Sequence, residues 1–398
     1  MGERAIWTPT FGNGGVTITS FASVGFVVPD SIRLQSDGKI LVLVQNGNVA
    51  NEVLRYTASG VLDTTFGSNG VVVLPQAFGP GSGTMDLQPN GQIVIAGVVT
   101  GSNGSALGAE RLNTDGSLTT FGNKGLATAS LGSRGVGVGE VVLVQPNGFI
   151  LVGVQVGPTG RRQPFQVMLA RFSFVGTLDT IFGAQGVAVA NGPSGCNALA
   201  QLSNGDYLVV SAQAVAEFTA SGSVASTITP AALIASNGSS AFSTNVFQPN
   251  GDYLFGTELF VGEESRGHNS SAEVLRFTET GAADVSFANP TFHYIGAGGS
   301  GIEALVDGLA VQSNGDIVVV GSQVTFAQSG TTTVNGLARL TPNGNLDPAF
   351  GNGGTVANSV PAGMGGLNGV VIQTNGNIIT VGTANNGTAL TLARYLGS

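Results

Sequence analysis

The phrase Gln88-Pro-Asn-Gly-Gln-Ile93 decides how this chain folds, because it returns six more times. Its counterparts are QSDGKI at Gln35, QPNGFI at Gln145, LSNGDY at Leu202, QPNGDY at Gln248, QSNGDI at Gln312 and QTNGNI at Gln373. The turn glycines Gly38, Gly91, Gly148, Gly205, Gly251, Gly315 and Gly376 stand 46 to 64 residues apart. A period near 56 residues is too long for a solenoid and matches the blade of a β-propeller.

Apolar runs flank the phrase on both sides, as in DSIRLQSDGKILVLV (30–44) and DGLAVQSNGDIVVVG (307–321). Asn-Gly or Asp-Gly between two such runs reads as a tight hairpin, since the turn needs a positive φ. A third stretch carries an arginine, in VLRYTASG (53–60), LARFSFVG (169–176), VLRFTETG (274–281) and LARLTPNG (337–344). A fourth, Val-rich stretch follows Phe-Gly, as in LDTTFGSNGVVVL (62–74). No segment shows a 3.6-residue apolar period, and the 63 glycines disfavour long helices. The expectation is a single all-β domain over residues 1–398: a seven-bladed propeller of four-stranded antiparallel blades. The blades fall near 30–76, 84–131, 140–192, 196–232, 243–296, 306–360, and 367–398 plus 9–20.

The two ends of the chain are complementary. TPTFGNGGVTIT (8–19) is an outer strand with no inner partners before it, and LARYLGS (392–398) is a third strand with nothing after it. Gly15–Ser20 is therefore predicted to pair beside the strand around Arg394 and close the ring, which leaves only short edges. The stretch after Glu217–Gly222 lacks Phe-Gly, so the sequence does not specify how that outer strand pairs.

LDTTFGSNG (62–70), QPNGQIVIAG (88–97) and LARLTPNGNLDPAFGNGG (337–354) resemble the bacterial delta-sixty repeat, a propeller-type repeat of secreted and cell-surface proteins. The resemblance covers almost the whole chain and implies a secreted or surface location. It brings no catalytic residues to carry over.

Several recurring residues read as structural. Arg55, Arg171, Arg276 and Arg339 are each followed eight residues later by an aspartate, Asp63, Asp179, Asp284 and Asp347. Where Glu217 replaces the arginine, Ala225 replaces the aspartate, and Arg111 is followed by Thr119. The two positions tend to change together within one molecule, as expected for an ion pair clamping the corner between third and fourth strands. Phe11, Phe66, Phe121, Phe182, Phe287 and Phe350 recur at one blade position and read as core. The glutamine before the turn, present in six of seven blades, is expected to bond backbone groups.

Function is sought where the repeats differ. Charged residues make up only 9% of the chain and the net charge is −9, which excludes the electrostatic footprint of a nucleic-acid binder. No apolar run is long enough for a membrane span, and the start, MGERAIWTPTFG, lacks the basic-then-apolar pattern of a signal peptide. Two histidines and one cysteine rule out a three-histidine metal centre, and Cys196 reads as a small buried residue. No GxSxG elbow, P-loop or HExxH is present.

From turn glycine to third-strand position the distance varies from 12 to 25 residues, so loops of unequal length rise from one rim. The longest loop, TELFVGEESRGHNSSAEV (257–274), holds Glu263, Glu264, Arg266 and His268, and Arg161 and Arg162 form the chain's basic doublet in GPTGRRQPF (157–165). These six residues are candidate binding groups, against the plainer reading of solvated loops.

Five residues before the repeated glutamine position stand Asp30, Gly83, Glu140, Asn197, Ser243, Asp307 and Asn368, expected to ring the mouth of the central channel. Asp30, Glu140 and Asp307 suggest a Ca²⁺ site, the alternative being a water-filled channel with solvated carboxylates. Tyr253, Tyr294 and Phe260 are candidates for one sugar platform. The expected function is a monomeric, non-catalytic module that binds a protein or glycan through its variable loops. The alternative is a carboxylate-based hydrolase or lyase at the channel mouth, working through Glu140 and Asp307.

Overall fold

The computed structural model describes residues 8–397 except 22–25, 48–49, 76–77, 79–82, 102–103, 133, 158–164, 193–194, 212–213, 229–243, 249, 261–269, 281, 296–300, 328–329, 358–363 and 386. The chain is a seven-bladed β-propeller, built of seven four-stranded antiparallel sheets with no helix among the described residues. The first blade shows the pattern: inner strand Val27–Leu34, then Ile40–Asn46, Ala50–Tyr56 and the outer strand Val71–Val73. Each repeated phrase is the hairpin between inner and second strands. In the second blade the Gly91 amide donates to the Gln88 carbonyl at 2.8 Å, with Gly91 at φ +83°, a backbone state glycine adopts without steric cost.

The chain ends meet as the sequence predicts. Val16–Ser20 is the outer strand of the last blade and pairs antiparallel with Ala389–Tyr395, in register from Val16↔Ala393 to Ser20↔Ala389. The Arg394 amide extends this ladder to the Gly15 carbonyl at 3.1 Å. The fourth blade also completes itself without Phe-Gly: Val224–Ile228 pairs with Val215–Phe218, with a register shift between Glu217 and Phe218.

The fold divides into two compact units. One comprises Asp30–Ala58 and Leu62–Leu233, the other Met1–Pro29, Ser59–Val61 and Ile234–Ser398. In the first unit the second blade is apolar on both faces because each face packs on a neighbour. Along the second strand Ile93–Gly101, Val94 and Ala96 join the core shared with Val152 and Met168 of the third blade. Ile93 and Ile95 point the other way, into the core with Leu41, Leu43 and Val53 of the first. In the second unit Leu254, Val274, Val306 and Ile317 fill the space between fifth and sixth blades. Val318, Leu337, Ile378 and Tyr395 fill that between sixth and seventh, with Val16 of the N-terminal strand added.

One arginine-centred device recurs in this architecture. Arg55, Arg171, Arg276 and Arg339 donate from Nε to Asp63, Asp179, Asp284 and Asp347 at 2.7 to 2.9 Å, as the eight-residue spacing predicts. The same guanidinium lies over the recurring phenylalanine, 4.5 Å from the ring centre for Arg55 on Phe66. It also reaches the next blade: Arg171 Nη1 donates to the Ala220 carbonyl at 2.9 Å and Arg276 Nη1 to that of Pro342 at 2.7 Å. Arg55 and Arg339 do the same to the carbonyls of Thr114 and Gly397. Where the aspartate is missing, Arg111 turns Nε to Thr119 Oγ1 at 3.4 Å and keeps both its place over Phe121 and its bond to the Phe174 carbonyl. The glutamines also join neighbouring blades, with Gln312 Nε2 bonding the Gly376 and Gly397 carbonyls.

Arg55 and Asp63 are both buried, with side chains 8% exposed. Removing one partner strands the other charge, so Asp63→Ala should cost about 3 kcal/mol. Thr119→Ala, which removes a long neutral contact, should cost less than about 1 kcal/mol. Denaturant unfolding of the two variants checks the difference; equal costs would reject the clamp.

Candidate functional site

The loop residues Glu263, Glu264, Arg266 and His268, the doublet Arg161 and Arg162, and Ser243 of the ring lie outside the described residues. The sugar platform is not formed: Tyr253 and Tyr294 are buried, Tyr253 stacked on Phe277 at 5.5 Å and Tyr294 donating to the Leu305 carbonyl at 2.9 Å. Both rings belong to the core. Cys196 is a free, fully buried thiol, held protonated by burial and then by the charge of Glu140.

Asp307, Asn368 and Glu140 share a local device. At Asp307 the inner strand Ile302–Val311 shifts register, Val306 pairing with Gly321 and Gly308 with Val320, so Asp307 is an extra residue in the ladder. The same shift between Leu367 and Gly369 makes Asn368 the extra residue in the last blade, and another irregularity directly precedes Glu140. Such bulges re-aim a side chain. Asn197 stands just before its inner strand, its amide bonded to the Val210 carbonyl at 2.8 Å.

Within the four-blade unit the carboxyls of Asp30 and Glu140 come into electrostatic reach of each other. Burial pushes Asp30 up to about 7. Burial and then the negative charge of Asp30 push Glu140 up to about 7 as well. Asp30 Oδ2 is buried without a hydrogen-bond partner, and so is Nδ2 of Asn51. Both face Gly83: a Cβ there would sit 3.5 Å from Asp30 Oδ2 and 3.7 Å from Asn51 Nδ2, and would press on Leu43 at 3.1 Å. A side chain at 83 would therefore crowd Leu43 and the Asp30 carboxyl.

Asp307, in the three-blade unit, is raised by burial to about 6, with Ser322 Oγ at 3.5 Å from its carboxylate opposing the rise. No three His, Cys, Asp or Glu side chains among the described residues are placed to hold a metal ion.

The structure adds three charged residues that sequence reasoning missed. Arg33 is partly buried on an inner strand, where desolvation lowers its pKa and the charge of Asp86 on the next inner strand opposes that. Asp86 in turn accepts from the Val144 amide of a third inner strand at 2.8 Å. Glu110, 1% exposed, stands opposite Ile95 and Leu126 with Oε2 unpartnered and is raised by burial to about 7. The repeat itself carried the signal. Arg33 and Asp86 stand where the other blades place Leu143, Ala200, Val246, Ala310 and Val371, and Glu110 where they place Leu54, Ala170, Leu275 and Ala338.

The sequence was then compared with known proteins. Three of its segments match a β-propeller family. The family is described as "Domain of unknown function (DUF5122) beta-propeller" and matches residues 35–66, 88–120 and 312–350, each containing a repeated phrase and a Phe-Gly corner or its approach. No curated protein matches the chain. Solved structures similar in fold include the polysaccharide lyase Uly1, at 11% identity over 93% of this chain and 90% of the other, with a TM-score of 0.44. The Pan2 WD40 domain of Neurospora crassa matches at 8% identity, 93% and 89% coverage and a TM-score of 0.46. The Nup133 β-propeller domain of Vanderwaltozyma polyspora matches at 9% identity, 96% and 100% coverage and a TM-score of 0.45.

The raised carboxyls set a pH dependence. Asp30 and Glu140 hold protons in the folded chain up to about 7, whereas in the unfolded chain they lose them near 4. Between those values the folded state binds more protons, so stability falls as pH rises and levels off above about 7. The melting temperature should therefore drop from pH 5 to pH 8, and Asp30→Asn with Glu140→Gln should flatten the slope. Thermal unfolding across that range tests it; an unchanged slope in the double variant would reject the assignment.

Proposed function

We propose that this chain is a non-catalytic binding module of a secreted or surface protein, recognising a protein or glycan through loops at the end opposite the Asn-Gly turns. The observation that carries this reading is the contrast between the two ends of each blade. At the Asn-Gly end the blades repeat the same turn and, in five of them, the same arginine bond to the next blade. At the other end the hairpins between second and third strands differ widely. In the fourth blade the two strands are Tyr207–Val210 and Val215–Phe218, four residues each. In the sixth they are Ile317–Ala327 and Gly330–Leu340, eleven residues each, with Thr331, Thr332 and Thr333 exposed on the projecting part. A rigid frame carrying unequal projections is a common platform for recognition. The resemblance to the delta-sixty repeat supports the secreted or surface location.

A second reading has its own observation. Asp30 and Glu140, within electrostatic reach of each other, are both raised to about 7, which suits an acid/base pair of a hydrolase or lyase.

The two readings separate in one screen. The chain is tested for binding on glycan and peptide arrays, and for turnover of polysaccharides. The binding reading expects a ligand whose affinity falls at least tenfold on alanine substitution of Thr331, Thr332 and Thr333, or of Glu263, Glu264, Arg266 and His268, with the melting temperature unchanged. Turnover that is lost in Glu140→Gln would instead establish the enzyme.

A further inference from the structure

Asparagine followed by glycine recurs along this chain, and the pair has a chemistry of its own. The backbone nitrogen after an asparagine can attack that residue's side-chain carbonyl carbon, and glycine obstructs the attack least because it has no Cβ. The fold must then supply two conditions: an amide not tied up in a hydrogen bond, and a side chain able to swing onto it.

Six of the seven repeated turns withhold both. The amide of each turn glycine from Gly91 to Gly376 donates to the carbonyl three residues back, at 2.8 to 3.0 Å. The side-chain oxygen of each asparagine before it, from Asn90 to Asn375, accepts from the amide two residues on, at 2.9 to 3.2 Å. The turn at Gly38 has Asp37 in place of the asparagine. After Asn69, Asn191 and Asn343 the glycine amide is bonded as well, to the carbonyls of Phe66, Phe165 and Thr341 at 2.8 to 3.0 Å. Asn46, Asn335 and Asn368 are residues of strands.

Two outer corners withhold neither. Asn13-Gly14 and Asn352-Gly353 stand in the phrase Phe-Gly-Asn-Gly-Gly (11–15 and 350–354), and both residues of each pair are exposed. The asparagine amides hold the corner, donating to the Val16 and Thr355 carbonyls at 2.7 and 2.8 Å. The amides of Gly14 and Gly353 and the two asparagine side chains make no hydrogen bond among the described residues. A Cβ at either glycine would meet nothing within 4 Å, so solvent reaches the reacting atoms. The second blade builds the same corner with a different residue. There the Asn123 amide donates to the Leu126 carbonyl at 2.7 Å, and Lys124 takes the place of the glycine at φ +53°, against +65° for Gly14 and +64° for Gly353.

We propose that Asn13 and Asn352 are sites of spontaneous deamidation, selected by the fold from among the chain's asparagines. The Gly14 or Gly353 nitrogen gives its proton to base and bonds to the asparagine Cγ. The Cγ–Nδ2 bond breaks, Nδ2 leaves as ammonia, and a cyclic imide closes. Water then opens the imide at either carbonyl, giving aspartate or isoaspartate. Each event adds one negative charge to an exposed corner. The isoaspartyl product also lengthens the main chain by one carbon, at Asn13 beside the strand Val16–Ser20 that closes the ring and at Asn352 beside the outer strand Thr355–Ala357. This inference goes beyond the binding reading above and does not rest on it.

The test incubates the folded full chain in mildly alkaline buffer and follows each asparagine by peptide mapping, reading the mass change of amide to acid. Asn13 and Asn352 should convert about tenfold faster than the six hairpin asparagines, the effect of two hydrogen bonds that must both open. Asn123 should lag with the hairpins. In urea, where the turns are melted, the hairpin asparagines should catch up with Asn13 and Asn352 while Asn123, followed by lysine, stays slow. Gly353→Lys, which copies Lys124 of the second blade, should slow Asn352 to the rate of Asn123 and leave Asn13 unchanged. Equal rates at corners and hairpins in the folded chain overturn the proposal, and so does Asn352 converting undiminished in Gly353→Lys. The map of the unsubstituted chain decides even if that variant fails to fold.

Discussion

A buried guanidinium that does three jobs at once is the constraint on which this fold depends. In four blades the recurring arginine pairs with an aspartate of its own corner, covers the corner phenylalanine and donates to a carbonyl of the next blade. A sheet with two apolar faces has no preferred slide against its neighbours, because hydrophobic contact is non-directional. The arginine removes that freedom. Its planar fork fixes distance and angle, and its partners together offset its desolvation. The last blade shows the rule by exception: Arg394 lies over Phe11 at 5.0 Å and replaces the aspartate with Thr8 Oγ1 at 2.6 Å, both supplied by the N-terminal segment. The same arginine thereby ties the two ends of the chain together.

Such regularity concentrates chemical individuality in a few departures. Glu110 and the Arg33–Asp86 pair occupy positions where sister blades are small or apolar, and Asp30 and Glu140 stand where others have Gly83, Asn197 or Asp307. In the carboxyls of Asp30, Glu140 and Glu110 burial is the leading cause of the shift, and no arginine or lysine among the described residues offsets it. The Arg–Asp corners behave in the opposite way. Asp63 is held below the usual carboxylate range, first by the Thr65 hydroxyl and then, against burial, by the Thr65 amide and Arg55. One chain thus contains two populations of acid, one held below the usual carboxylate range and one raised to about 7.

The repeat also supplies an internal control for each departure. The fifth and third blades place the same glutamine and arginine, yet the blade that follows brings isoleucine in one case and tyrosine in the other. The corners at Asn352 and Asn123 likewise differ in the residue that follows, glycine in one and lysine in the other.

The sequence by itself determined the blade count, the strand order, the joining of Val16–Ser20 to the last sheet and the Arg–Asp corners. These are short-range consequences of turn chemistry and two-residue periodicity, repeated often enough to be read without ambiguity. Only tertiary structure decided the rest: that Asp307 and Asn368 sit on bulges, that Asp30 meets Glu140 across inner strands 110 residues apart in sequence, and that Tyr253 and Tyr294 are core. Register shifts of one residue and the spacing of side chains between blades depend on how neighbouring sheets pack, and that packing leaves no periodic mark on the chain.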